Sequence, residues 1–190
     1  FARVSTTQSL TLTYLDRKMT RKMNLRVYGG YNLAYNPGTS TYQSMGRYSI
    51  SMFGAAGYQD IFAENYYYNR GSLYGAQYAN DMGGFRTASN TLKMSNYWAC
   101  ALNATLQLPI KPNIFEAFGD VGFYDNGIKT VMLYNAGLGI NLGEVVGIYF
   151  PLIQSSNMGN LYTNYGKNVR LTLRFNPFNL PFRIQNLINR

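Results

Sequence analysis

The sequence predicts an all-β fold, an eight-stranded antiparallel transmembrane β-barrel, and three observations lead there. Residues 23–35 alternate without a break: Met23, Leu25, Val27, Gly29, Tyr31, Leu33 and Tyr35 share one face, and Asn24, Arg26, Tyr28, Gly30, Asn32 and Ala34 the other. That is the period of two that a pleated strand imposes. The same alternation returns in seven further stretches along the 190 residues. Only 13% of the residues are Asp, Glu, Lys or Arg, against roughly 25% in ordinary soluble domains, and 18 tyrosines and 11 phenylalanines take up part of the difference. A surface that faces lipid needs no charged coat.

Length supports this reading. A strand of about nine to eleven residues, tilted near 45°, crosses a hydrocarbon core of roughly 30 Å. The chain has no apolar run long enough for a helical span, but barrel strands escape such a search because every second residue is polar.

The first strand covers 9–16, with Leu10, Leu12 and Tyr14 opposite Ser9, Thr11 and Thr13. A basic link, 17–22, leads into strand two, and Asn36-Pro37-Gly38 closes it with a turn signal. Strand three, 48–58, places Ile50, Met52 and Ala56 on its apolar side. The stretch 59–96 loses the alternation and reads as a long extracellular loop. Strand four covers 97–108, and Pro109 to Pro112 forces a tight connection to strand five at 114–123. Asp125-Asn126-Gly127 is a hairpin signal before strand six, 132–142. Strand seven, 146–152, contains Pro151, which removes a backbone donor and marks a strand end or a bulge. A polar loop, 153–167, precedes strand eight at 168–176, where Val169, Leu171, Leu173 and Phe175 oppose Arg170, Thr172 and Arg174. Residues 1–176 form the barrel and 177–190 a short periplasmic tail.

An even strand count lets every edge pair, as hydrocarbon requires. The links 17–22, 59–96, 124–128 and 153–167 fall at one mouth, and 36–47, 109–113 and 143–145 at the other. The long-loop mouth faces outward, which puts both termini in the periplasm. Phe1 is not an initiator methionine and no leader-like segment follows it, so the chain reads as a mature protein or a piece of a longer one, with the piece favoured.

Histidine is absent, which excludes a Ser-His-Asp triad, an HExxH zinc site and the usual imidazole base. Glu116 and Asp120 share a face but stand about 13 Å apart along a strand, too far for paired carboxylate chemistry. The chain is therefore read as neither an enzyme nor a cofactor binder. Arg26, Glu116, Asp120, Arg170 and Arg174 project inward and read as an interior ion-pair network, because buried charge must be paired. Arg17, Lys18, Arg21 and Lys22 read as a rim that meets anionic lipid headgroups. Asp60, Glu64, Tyr66, Tyr67, Tyr68, Arg70, Tyr74 and Tyr78 make 59–96 a candidate partner-binding loop, since aromatic groups gather at interfaces. The net charge of +9 forms neither a basic block nor a helix face, so nucleic acid is not expected. Cys100, the single cysteine, cannot form an internal disulfide and sits in an apolar register.

The stretches GYQDIFAENYYYNR at 57–70, NDMGGFRT at 80–87, WACALNATLQLPIKPNIFEAFGDVG at 98–122 and GIYFPL at 147–152 resemble the carboxyl-terminal barrel region of large outer-membrane proteins from Bacteroidetes-type bacteria. Some of those relatives carry a zinc-aminopeptidase-like domain ahead of the barrel. The resemblance implies an anchoring role with the peptidase-like chemistry located elsewhere, and no metal-binding or catalytic residue has a position here to which it transfers. The functional expectation is an outer-membrane anchor or assembly barrel, either the C-terminal part of a larger surface protein or a subunit of an outer-membrane complex. The alternatives are a small-solute channel and a soluble β-barrel or sandwich that binds a ligand.

Overall fold

A computed structural model describes residues 2–16, 19–34, 50–52, 66–68, 77–79, 82–86, 94–142, 146–163 and 165–173. These residues form strands β1 (Ala2–Asp16), β2 (Met19–Ala34), β3 (Ile50–Ser51), β4 (Tyr66–Tyr68), β5 (Gln77–Ala79), β6 (Met94–Ser95), β7 (Trp98–Gln107), β8 (Phe115–Asp125), β9 (Thr130–Leu142), β10 (Val146–Gln154) and β11 (Arg170–Leu173), with two short 3-10 turns. Among them no helix is long and apolar enough to cross a membrane. Nine strands make one sheet in the order β1-β2-β7-β8-β9-β10-β11-β4-β5, and β3 pairs with β6 apart from it. Every described pairing is antiparallel.

Register stacks like with like. One face carries the rows Val27–Leu102–Val121–Tyr134 and Met23–Leu106–Ala117–Leu138–Phe150. The opposite face carries Arg26–Asn103–Asp120–Asn135 and Tyr28–Ala101–Gly122–Leu133. The burial is the reverse of a soluble protein's: Val27 is 51% exposed, Leu102 44% and Met132 46%, whereas Asn103 is 1%, Asp120 3% and Asn135 2% exposed. The polar face is the inner one.

Residues 50–52 and 82–86 cover that inner face. They are joined by bonds from Gly83 N to Ser51 O at 3.1 Å and from Phe85 N to Met52 O at 3.0 Å. Ile50, Met52 and Phe85 are wholly buried and pack with Tyr28, Ala99, Ala101, Tyr124, Val131, Leu133 and Met158. Small wall residues make the space. A Cβ on Gly122 would overlap the Met52 side chain and come within 3.0 Å of the Phe85 ring.

Turn chemistry agrees with the ladders. Asp125 accepts from the Gly127 amide at 2.7 Å and Asn126 from the amides of Ile128 and Lys129, while Gly127 takes φ 88°. The β9–β10 register shifts between Pro151 and Ile153, so a bulge at Leu152 directly follows Pro151, one of the places where a strand tolerates a missing donor.

Several expectations are corrected. Ile50 and Met52 belong not to a lipid-facing third strand at 48–58 but to the inner core, and β2 pairs directly with β7. The rest of that stretch lies outside the described residues. The stretch 59–96 is not simply a connection, since it supplies β4 and β5 to the sheet and 82–86 to the interior. Among the described residues the sheet holds nine strands, where eight were expected for the whole barrel. The β1–β2 link falls at the same end as 108–114 and 143–145, not with the long connections. Ala2 and Leu173 lie at opposite ends of the sheet, not at a shared mouth. The tail 177–190 is outside the described residues.

Strand directions alternate across the sheet, so its two edges, β1 and β5, point the same way. An antiparallel ladder cannot join them directly. The described sheet is open.

Gly122→Val should destabilise the fold by about 1–3 kcal/mol through overpacking against Met52 and Phe85. On the outer face, Gly119→Val should stay within about 0.5 kcal/mol, because a Cβ there meets nothing nearer than Ala136 Cβ at 3.9 Å. Denaturant midpoints followed by Trp98 fluorescence test the pair, and equal effects would contradict the covered inner face.

Candidate functional site

Four strands bring one polar row together. Arg26 on β2, Asn103 on β7, Asp120 on β8 and Asn135 on β9 are direct ladder partners, and directly opposed residues stand about 5 Å apart at Cβ. Arg26 Nη1 donates to Asn103 Oδ1 at 2.9 Å, and Asn103 Nδ2 donates to Asp120 Oδ1 at 2.9 Å. Arg26, Asn103 and Asp120 thus form a hydrogen-bonded chain along the row.

It holds the covering segment by its main chain. Arg26 Nη2 donates to Met82 O at 2.6 Å, Asn103 Nδ2 to Gly83 O at 3.0 Å, and Arg170 Nη1, from β11, to Phe85 O at 2.9 Å. Asp120 accepts from the Arg86 amide at 2.8 Å and from Arg86 Nη1 at 3.0 Å. The Arg86 guanidinium also lies 5.9 Å from the centre of the Tyr149 ring. Hydrogen bonds to charged groups contribute about 1.5–3 kcal/mol each, so the five residues from 82 to 86 are held by several strong contacts at once.

The Gly83-Gly84 pair is dictated by this docking. A Cβ on Gly83 would stand 2.7 Å from the Met52 backbone. Gly84 adopts φ 66°, a left-handed conformation that favours glycine, and a Cβ there would stand 2.9 Å from Asn103 Oδ1.

A second row, Glu116–Gly139–Tyr149–Arg170, runs nearer the short-turn end. Glu116 is buried; its Oε2 accepts from Asn141 at 3.5 Å, while Oε1 has no hydrogen-bond partner among the described residues. Gly139 leaves room for the Glu116 stem, and Phe118 meets Tyr149 edge-on at 5.4 Å between ring centres.

Of the expected interior residues, Arg26, Asp120 and Arg170 therefore meet around 82–86, Glu116 lies one group away, and Arg174 is outside the described residues. The carboxylate–guanidinium partner of Asp120 is Arg86, which the sequence left inside a connection. Asn103 was legible as an inward residue of strand four, but its role depends on the segment it bonds.

The expected rim divides. Arg21 is buried rather than lipid-exposed: it donates to the Leu108 carbonyl and, at 3.2 Å, to Asn113 Oδ1, tying β2 to the β7–β8 turn. Lys22 is exposed, and Arg17 and Lys18 are outside the described residues. Tyr66, Tyr67 and Tyr68 form β4, which pairs with β11 and β5, and Tyr78 lies opposite Tyr67. Asp60, Glu64, Arg70 and Tyr74 are outside the described residues.

The arrangement is a staple, in which wall side chains hold an inward segment by its carbonyls and one carboxylate. A scan against protein-family models and searches of curated proteins and solved structures return no match.

Asp120→Asn should cost about 2–4 kcal/mol, because it strands the guanidinium of Arg86 in a poorly solvated site. Combining it with Arg86→Met should recover about 1–3 kcal/mol relative to additivity. A double-mutant cycle in denaturant measures this, and simple additivity would contradict the staple.

Proposed function

We propose that this chain forms part of the wall of an outer-membrane β-barrel that anchors its protein in the bilayer, with an interior filled by its own residues. The carrying observation is the inverted polarity. The outer rows are apolar from β2 through β10 while Arg, Asp, Glu and Asn are buried on the other face. A contiguous exposed apolar face of this kind marks a membrane or interaction surface rather than one that faces water.

The dimensions support the same reading. Met132 and Leu142 both face outward on β9, and the ten steps between them cover about 34 Å along the strand. At a tilt near 40° that is about 26 Å along the membrane normal, against an apolar band of about 25 Å in outer-membrane barrels. Tyr31 and Trp98, ladder partners at one end of the band, suit the interface, where aromatic rings gather. Closure requires an odd number of further strands between β1 and β5, since both edges run the same way.

In this reading the short-turn end faces the periplasm and the long connections face outward. Exposed Lys22 and Lys111 then meet anionic headgroups of the inner leaflet. The filled space around Ile50, Met52 and Phe85 favours an anchor over a solute channel.

Leu138→Arg tests the proposal. Facing lipid between Met132 and Leu142, near the middle of the band, it should cost about 2–4 kcal/mol in phosphatidylcholine vesicles. On a water-facing surface the same change would stay within about 0.5 kcal/mol, and that result would overturn the membrane reading.

A further inference from the structure

Beside the β10 bulge, on the outer face, lies an open groove of about 660 Å³, within the size range of single-ligand sites. The bulge builds its floor. Pro151 pairs with Gly137 and Ile153 with Ala136, which leaves Leu152 as the extra residue and breaks the alternation, as bulges do when they re-aim side chains. Leu152 and Ile153 are consequently both exposed, and Tyr134 of β9 completes an apolar floor.

The wall opposite is uncharged and mostly polar, with Leu161 among Gln154, Ser156, Asn160 and Tyr162. Gln154 Nε2 donates to Gly159 O at 3.0 Å, Asn157 Nδ2 to Met132 O at 3.2 Å, and Ser155 N to Tyr134 O at 2.8 Å, which pins the connection after β10 against the edge of β9. Asn160 Oδ1 accepts from the Tyr162 amide at 2.9 Å, and its NH2 remains a donor. Tyr162 is 80% exposed at the lip.

We infer that this groove seats one acyl chain of a bilayer lipid, with the lipid's ester region against Asn160 and Tyr162. The inference rests on the membrane reading above and adds a defined lipid site to it. Tyr134 of the floor stands in the same outer row as Leu102 and Val121, and Ile153 pairs with Ala136 in the next, so a chain passes from the band into the groove without crossing water. The uncharged lining suits the neutral glycerol-ester portion rather than a phosphate or an ionic solute.

Trp98 is the only tryptophan, which permits a direct test with the whole chain in dioleoylphosphatidylcholine vesicles containing chain-brominated phosphatidylcholine as quencher. Native Trp98 reports the outer band. Tyr162→Trp in a Trp98→Phe background reports the groove, and Asn160→Trp in the same background replaces it if that variant fails to fold. Both reporters should be quenched, and Leu152→Gln should lower groove quenching roughly twofold by making the floor polar, with Trp98 quenching unchanged. Quenching of Trp98 without quenching of the groove reporter overturns the site and leaves the membrane reading standing. Groove quenching that ignores Leu152→Gln also overturns the site, as contact with bulk lipid. Quenching of neither reporter overturns both.

Discussion

Asp120 is held inside the protein by three donors, the Arg86 amide, the Arg86 guanidinium and the Asn103 amide group, and the rest of the structure follows from that need. A carboxylate removed from water without compensation costs several kcal/mol, so the strand bearing it must lie beside strands that offer polar partners at the same height. The ladder supplies Asn103 and Asn135 directly. The third party is residues 82–86, which approach the wall closely only because positions 83, 84 and 122 are glycine.

The outer face is the consequence of committing the inner one to polar groups. Alternation gives each strand two faces, so placing Arg26, Asn103 and Asp120 inward turns Val27, Leu102 and Val121 outward in the same ladder. A packed soluble sheet would turn the apolar face toward a second layer. Here the covering segments lie on the polar side, with a small apolar core of Ile50, Met52 and Phe85 above the alanines and glycine of β7 and β8. Among the described residues no segment covers the apolar side, and the proposed membrane setting would give it hydrocarbon as its solvent.

The strands β7 to β10 were legible almost to the residue, because each alternates cleanly and is bounded by Pro, Gly or Asn turn chemistry. β1 extends back to Ala2 through Val4-Ser5-Thr6-Thr7-Gln8, which carries no alternation, and its ladder with β2 sustains it. β4 and β5 have three residues each, too few for a period to show. The sequence alternation at 48–58 was silent on direction: period two separates faces without saying which one turns inward, and of that stretch the described residues Ile50, Ser51 and Met52 are all buried. The charge partner of Asp120 was the least legible feature. Arg86 sits in no periodic segment, and nothing local marks it as the counter-ion of a residue 34 positions later in the chain.

The central claim is that the apolar face meets lipid, and Cys100 offers the most direct measurement, since it is the single cysteine, free and exposed on that face beside Gly29 and Phe123. A nitroxide attached there, with the protein in phosphatidylcholine vesicles, reports collisions with oxygen, which concentrates in hydrocarbon, and with a water-soluble nickel chelate. High oxygen and low nickel accessibility is the expected result. Free collision with nickel in the folded protein would mean that this face is wet, and the account would fail.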